Sequence, residues 1–184
     1  VNLVDDYLKK LNLSNEIKEY YYGRNILVTG GAGAIGSNLV TALSRLVGDD
    51  GMIIVLDNLS AIKGDEPIDL PPLPNMMFVN GDVRNDIDLK RVFRERPTIV
   101  FHLAAFFANQ NSVDYPETSA DVDIQGMIKL LDLAQFTDVD KFIYASSGCA
   151  IYGSYGKMPL KEDFISMHLT TPYQINKMAG EMYS

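Results

Sequence analysis

The sequence predicts an α/β fold built on a doubly wound parallel sheet, and three observations predict it. Apolar runs alternate with amphipathic stretches from Asn25 onward. The apolar runs are continuous, as expected for parallel strands buried on both faces. The first run, Ile26-Leu27-Val28-Thr29, passes directly into three glycines spaced three apart, Gly30, Gly33 and Gly36, and an apolar helical stripe follows (Ile35, Leu39, Val40, Leu43, Leu46). At 184 residues the chain is long enough for one such domain with a real core and short for two.

Each element follows in order. Leu3, Val4, Tyr7, Leu8 and Leu11 form a helical stripe, and Ser14 can cap a second turn. Residues 1–23 therefore read as a helical extension packed on a domain that occupies 24–184. Strands are expected at 25–29, 52–57, 76–80, 98–103 and 141–146, and helices at 34–47, 86–95, 117–136 and 172–184, joined by right-handed crossovers. Pro67, Pro71, Pro72 and Pro74 make 64–75 an irregular loop.

The glycines have separate physical tasks. Gly30 permits a tight turn out of the strand. Gly33, lacking a Cβ, lets backbone approach a pyrophosphate. Gly36 lets the new helix pack closely on the sheet. The first-turn N–H groups, at Ala34, Ile35 and Gly36, lie at the positive end of the helix dipole and suit phosphate charge. The second strand closes on Asp57, 21 residues after Gly36. Taken alone, Asp57 reads equally as a solvated acid at a strand end. Downstream of the glycines it reads as the carboxylate that hydrogen-bonds an adenosine ribose. Asn58 and Leu59 follow it, with no arginine to receive a 2′-phosphate, so NAD is expected rather than NADP.

Ligands of such sheets sit beyond the carboxyl ends of the strands. After the third strand come Gly81, Asp82 and Val83; Asp82 reads either as an acceptor for the adenine amino group or as a turn residue. After the fourth come Ala104 and Ala105, small enough for a cofactor to lie against. After the fifth come Ser146, Ser147 and Gly148. His102 lies inside an apolar run and reads as a core histidine, and His168 stands in a polar loop with no assigned role. Two widely separated histidines and Cys149 make no metal site.

Tyr173 and Lys177 are at helical i, i+4 spacing and share one face. A free phenol, with pKa near 10, is a poor base at neutral pH. An adjacent ammonium and a positive nicotinamide ring favour the phenolate; reaching neutrality takes about 3 units, about 4 kcal/mol, within reach of charges in a water-poor site. Tyr173 is then the candidate acid/base, with a serine hydroxyl orienting the substrate oxygen.

Composition limits the partners. A net charge of −8 argues against a nucleic-acid or anionic-membrane surface. No apolar run approaches the ~20 residues that span a bilayer, and no signal-peptide pattern opens the chain. The single Cys149 rules out an internal disulfide and fits a reducing, cytoplasmic compartment.

Taken together, Thr29-Gly30-Gly31-Ala32-Gly33-Ala34-Ile35-Gly36, Leu56-Asp57-Asn58, Gly81-Asp82-Val83, His102-Leu103-Ala104-Ala105, Ser146-Ser147 with Ile151-Tyr152-Gly153, and Pro172-Tyr173 with Lys177 resemble, in order, the motifs of the extended short-chain dehydrogenases/reductases. The chain is identified as similar to their NAD-dependent epimerase/dehydratase branch, the relatives of UDP-glucose 4-epimerase, from about residue 24 to the end. The resemblance implies a Rossmann-type sheet and a tightly held NAD, with Val83 and Leu103 among its contacts. It implies a nucleotide-sugar substrate whose hydroxyl is transiently oxidised, and a homodimer in the complete form. It also implies that the later strands and the sugar-binding domain are missing after the Tyr–Lys helix, so that 1–184 alone is inactive.

Three departures stand out. Gly148 holds the spot usual for the catalytic Ser or Thr; a one-residue insertion keeps Ser147 in that role, whereas an ungapped reading removes the hydroxyl. Asp123 replaces the usual Asn of the N-V-x-G-T element. The chain stops soon after Lys177. These keep open the alternative of a non-catalytic NAD-binding module; an oxidoreductase of a non-sugar alcohol is a further alternative within the same enzyme class.

Overall fold

The computed structural model describes residues 3–61, 70–107, 109–148, 159–161, 163–166 and 168–184. Cys149, the Ile151-Tyr152-Gly153 element and Pro67 lie outside these residues.

Five parallel strands form one sheet in the order β3-β2-β1-β4-β5, with β1 Asn25–Thr29, β2 Met52–Asp57, β3 Met76–Asn80, β4 Ile99–His102 and β5 Lys141–Tyr144. β1 pairs with β2 in the register Leu27 to Ile54, and with β4 in the register Leu27 to Val100. The order reverses at β1, so the connections leaving β1 and β4 go to opposite faces and open a crevice at the strands' carboxyl ends. This is a Rossmann-type sheet.

Side-chain alternation divides the core into two layers. On one face Leu27, Ile54, Leu56, Val79 and Val100 meet Leu89, Val92 and Phe93 of α4 (Asp86–Phe93) and Leu130 and Ala134 of α7 (Gly126–Phe136). On the other, Ile26, Val28, Ile53, Val55 and Ile99 meet Val40, Leu43 and Val47 of α3 (Ala34–Val47). Burying an aliphatic side chain of this size contributes about 1.5–3 kcal/mol, which favours aliphatic residues along the middle of each strand. The polar residues Thr29 and His102, buried at the ends of β1 and β4, bond to each other.

Two short helices precede the sheet, α1 (Leu3–Leu11) and α2 (Asn15–Tyr21). Ser14 caps α2 by accepting from the Ile17 N–H. Both helices rest on α3, and Arg45 of α3 pairs with Asp5 at 3.0 Å.

Four expectations are corrected. The strands expected at 98–103 and 141–146 are shorter, so Ser146 follows β5 instead of ending it. The helix expected at 117–136 is divided into α6 (Pro116–Ala120), a π-turn over Asp121–Gln125, and α7. A helix not anticipated, α5 (Asn109–Asp114), lies against α8 (Pro172–Tyr183), where Ser112 Oγ accepts from the Tyr173 N–H at 3.0 Å. The α4 helix also ends early, before Arg96 at φ +49°.

Candidate functional site

A cleft of about 590 Å³ lies at the carboxyl ends of the strands. Gly30, Gly33, Ala34, Ile35 and Gly36 line it, as do Asp57, Asn58, Asp82, Val83, Leu103, Ala104, Ala105, Ser147, Tyr173 and Lys177. Every site residue expected from the sequence thus meets in one place, drawn from the ends of all five strands and from α8.

The glycine turn is built for crowding at two positions and for openness at a third. Gly30 has φ +71°, and a Cβ on it would stand 2.6 Å from the Ala104 N, so the turns after β1 and β4 touch through bare backbone. A Cβ on Gly36 would fall 2.2 Å from the Gly30 carbonyl oxygen and 2.6 Å from Gly31 Cα. On Gly33 it would meet nothing nearer than the Gly30 carbonyl oxygen, at 3.4 Å. Protein packing therefore demands glycine at 36 but not at 33, whose bare face fronts the cleft. Helix α3 begins at Ala34, and the first N–H groups of a helix have no partner within it. These features fit the pyrophosphate of a dinucleotide.

At the end of β2 the Asp57 carboxylate is fixed by two backbone donors, Ala32 N–H at 2.9 Å and Leu59 N–H at 2.8 Å. A carboxylate offers about four acceptor positions, so capacity for ribose hydroxyls remains. Asp82 differs. Its Oδ1 accepts from the Arg84 backbone and Nε, both at 2.9 Å, and its Oδ2 from Arg84 Nη2 and Asn58 Nδ2, both at 2.8 Å. The Arg84 guanidinium holds the acid down to about 2. With four bonds already made, this carboxylate's capacity is filled within the protein, and its part at the cleft is to brace the turn after β3 and the Asn58 side chain.

On the opposite wall α8 delivers Tyr173 and Lys177, capped by Thr171 Oγ1, which accepts from the Gln174 N–H at 3.3 Å. Both side chains are buried. Lys177 Nζ donates to the Ala145 carbonyl at 2.9 Å, and stands 5.9 Å from the centre of the Tyr173 ring and 4.8 Å from that of Tyr144. Burial lowers the Lys177 pKa, and the charge of Asp123 opposes that. Gly180 makes the approach possible: a Cβ there would fall 2.4 Å from the Tyr144 hydroxyl.

Asp123, 2% exposed, is turned inward by the π-turn. It accepts from the Phe106 N–H at 2.8 Å and from Ser119 Oγ at 3.1 Å, while Asn176 Nδ2 donates to Ser119 Oγ at 2.9 Å. Burial raises its pKa, and those donors and Lys177 oppose the rise. Standing where an Asn is usual, Asp123 thus makes a backbone contact as the acceptor.

His102 is buried in the sheet, sharing a 2.6 Å hydrogen bond with Thr29 Oγ1 through Nδ1. Burial, helped by the Lys177 charge, pushes its pKa down to about 3. Among the described residues its Nε2 and the Ser146 hydroxyl have no hydrogen-bond partner. Ser146 and Ser147 both line the cleft. Sequence reasoning missed Arg84, Phe106, Phe107 and Thr118, which also line it. Phe106-Phe107 carried a signal, an aromatic pair directly after the small residues Ala104 and Ala105 that follow β4. Among the described residues no group of three or more His, Cys, Asp or Glu could hold a metal ion, and no helix is long and apolar enough to cross a membrane.

The sequence profile of the NAD dependent epimerase/dehydratase family matches residues 26–184. A UDP-glucose 4-epimerase of Mycolicibacterium smegmatis is 36% identical over 158 residues, covering 85% of this chain and 49% of that protein. An epimerase structure from Methanothermobacter thermautotrophicus superposes with a TM-score of 0.84 at 48% identity, over 91% of this chain and 48% of that one. The Thermus thermophilus UDP-glucose 4-epimerase in complex with NAD gives 0.73 at 35% identity, over 86% and 49%. The chain spans about half the length of these relatives. With its glycine turn, its strand order and this match over most of its length, the chain belongs to the NAD-dependent epimerase/dehydratase family.

Proposed function

We propose that this chain is the cofactor-binding part of a nucleotide-sugar epimerase or dehydratase that works by transient oxidation of a sugar hydroxyl, with residues 24–184 as the NAD unit and 1–23 as its helical extension. The observation that carries the reading is the convergence of Tyr173, Lys177 and Ser147 on the cleft that the glycine turn opens. The named relatives support a UDP-sugar as substrate and a 4-epimerase as the activity.

Gly30 to Gly36 hold the pyrophosphate of NAD, and Asp57 the adenosine ribose. When bound, NAD supplies the hydride acceptor and donor for the sugar carbon. Tyr173 takes the proton from the hydroxyl that is oxidised and returns it on reduction. Lys177 favours the phenolate, being a cation fixed beside the ring by the Ala145 carbonyl. The charge of Asp123 opposes the lowering that burial imposes on the Lys177 pKa. Ser147 orients the sugar oxygen toward Tyr173.

Tyr173→Phe tests this in the full-length gene product. Turnover of UDP-glucose falls by at least about 100-fold, as expected for loss of a positioned acid/base, while NAD affinity stays within about twofold. Turnover surviving within a few fold makes Tyr173 a structural aromatic and removes the base from the reading.

A further inference from the structure

Phe107 is 74% exposed, yet it lines the cleft beside buried Tyr173, with ring centres 6.3 Å apart and planes at 86°. An exposed large aromatic at the mouth of a ligand cleft has apolar surface to cover, and the edge-to-face pairing fixes its direction. The backbone beneath it is anchored on both sides. The Phe106 N–H donates to buried Asp123 at 2.8 Å, and the Phe107 carbonyl accepts from Asn111 Nδ2 at 2.6 Å. Asp123 is in turn held by Ser119 at 3.1 Å. The ring therefore stands on a loop tied to the same buried network that faces Lys177.

We propose that Phe107 is a substrate-positioning residue, the wall on which the pyranose ring of the nucleotide-sugar lays its C–H face while the reacting hydroxyl points at Tyr173. The inference rests on the proposed function and deepens it. The negative face of an aromatic ring attracts C–H groups polarised by neighbouring oxygens, and it excludes water from the phenol next to it. It also suits the reaction. An epimerase holds two sugars that differ at one carbon, and with the reacting oxygen directed at Tyr173 and Ser147 in both, it is the pyranose ring that must be able to present either face. A flat apolar wall serves either. Asp123 acts here through the Phe106 amide, as the anchor of the wall.

The test uses the full-length gene product, with UDP-glucose, UDP and NAD as probes, in Phe107→Ala, Phe107→Tyr and wild type. Phe107→Ala raises KM for UDP-glucose at least about tenfold, and Phe107→Tyr, which keeps the ring, stays within about twofold of wild type. Affinities for UDP and NAD remain within about twofold in both variants, because neither carries the pyranose. An unchanged KM in Phe107→Ala overturns the inference, as does loss of UDP or NAD affinity in step with KM, or a Tyr variant as impaired as the Ala variant. If wild-type protein binds NAD but neither binds nor turns over UDP-glucose or the other UDP-sugars, the proposed function fails and this inference falls with it. Wild-type turnover with an unaffected Phe107→Ala defeats the inference alone.

Discussion

Alanine at Gly36 and at Gly33 should fail in opposite ways. At Gly36 the added Cβ would lie 2.2 Å from the Gly30 carbonyl oxygen, 2.6 Å from Gly31 Cα and 2.9 Å from Gly31 C. All three are backbone atoms, so no side chain can swing aside, and α3 must move off the turn. Overpacking of this kind costs about 1–3 kcal/mol or more. At roughly 2–4 °C per kcal/mol for a domain of this size, the midpoint drops by about 2–12 °C. At Gly33 the nearest atom would be 3.4 Å away, and the residue has φ −76°, open to any L-residue. The fold should shift by less than about 1 kcal/mol, since relief of unfolded-chain entropy offsets a poorer helix cap. The methyl group would instead stand where phosphate approaches, and NAD affinity should fall by about 10- to 100-fold. Thermal unfolding without ligand, paired with calorimetric titration of NAD, separates the two. Equal midpoint losses in both variants, or a Gly36→Ala protein that melts with wild type, would refute the division of labour among the glycines.

Acid should expose the cost of His102. Its folded pKa, about 3, lies below the 6.5 of the unfolded chain, so below pH 6.5 the unfolded chain binds a proton that the native one does not. Stability then falls as pH drops, by about 2 kcal/mol between pH 7 and 5, until the loss is complete near the folded pKa. His102→Gln should flatten this part of the urea-unfolding pH profile relative to wild type, and equal slopes would contradict it. Of the two serines, Ser147→Ala should lose more turnover than Ser146→Ala, because the proposed role of Ser147 is to orient the substrate oxygen; steady-state assays showing the larger loss at Ser146 would reverse the assignment.

The sheet was legible because parallel strands buried on both faces must be apolar throughout, and the runs at 25–29, 52–57 and 76–80 have no competing reading. The cleft was legible because ligand positions follow from strand ends, and short motifs mark those ends. What escaped depends on contacts distant in sequence. Asn109–Asp114 has no apolar stripe; its Ser112 and Asn109 bond to Tyr173 and Thr171, some sixty residues on. The π-turn at 121–125 leaves a helical apolar pattern nearly intact and shows itself only in the burial of Asp123 and the fit of Gly126 against Val83. The Asp82 reading missed Arg84, two residues away, because chain spacing does not say which donors reach a carboxylate first.

Comparative titration of NAD and NADP into full-length wild type and Asp57→Ala tests the central claim most directly, that this cleft is an NAD site with its specificity set at the end of β2. Asp57 is held by the Ala32 and Leu59 amides; in the proposed role it would accept from a free 2′-hydroxyl and repel a 2′-phosphate. Wild type should bind NAD at least about tenfold tighter than NADP, and Asp57→Ala should lose most of that preference. NADP binding as tightly as NAD to the wild type, or a preference unchanged in Asp57→Ala, would contradict the account.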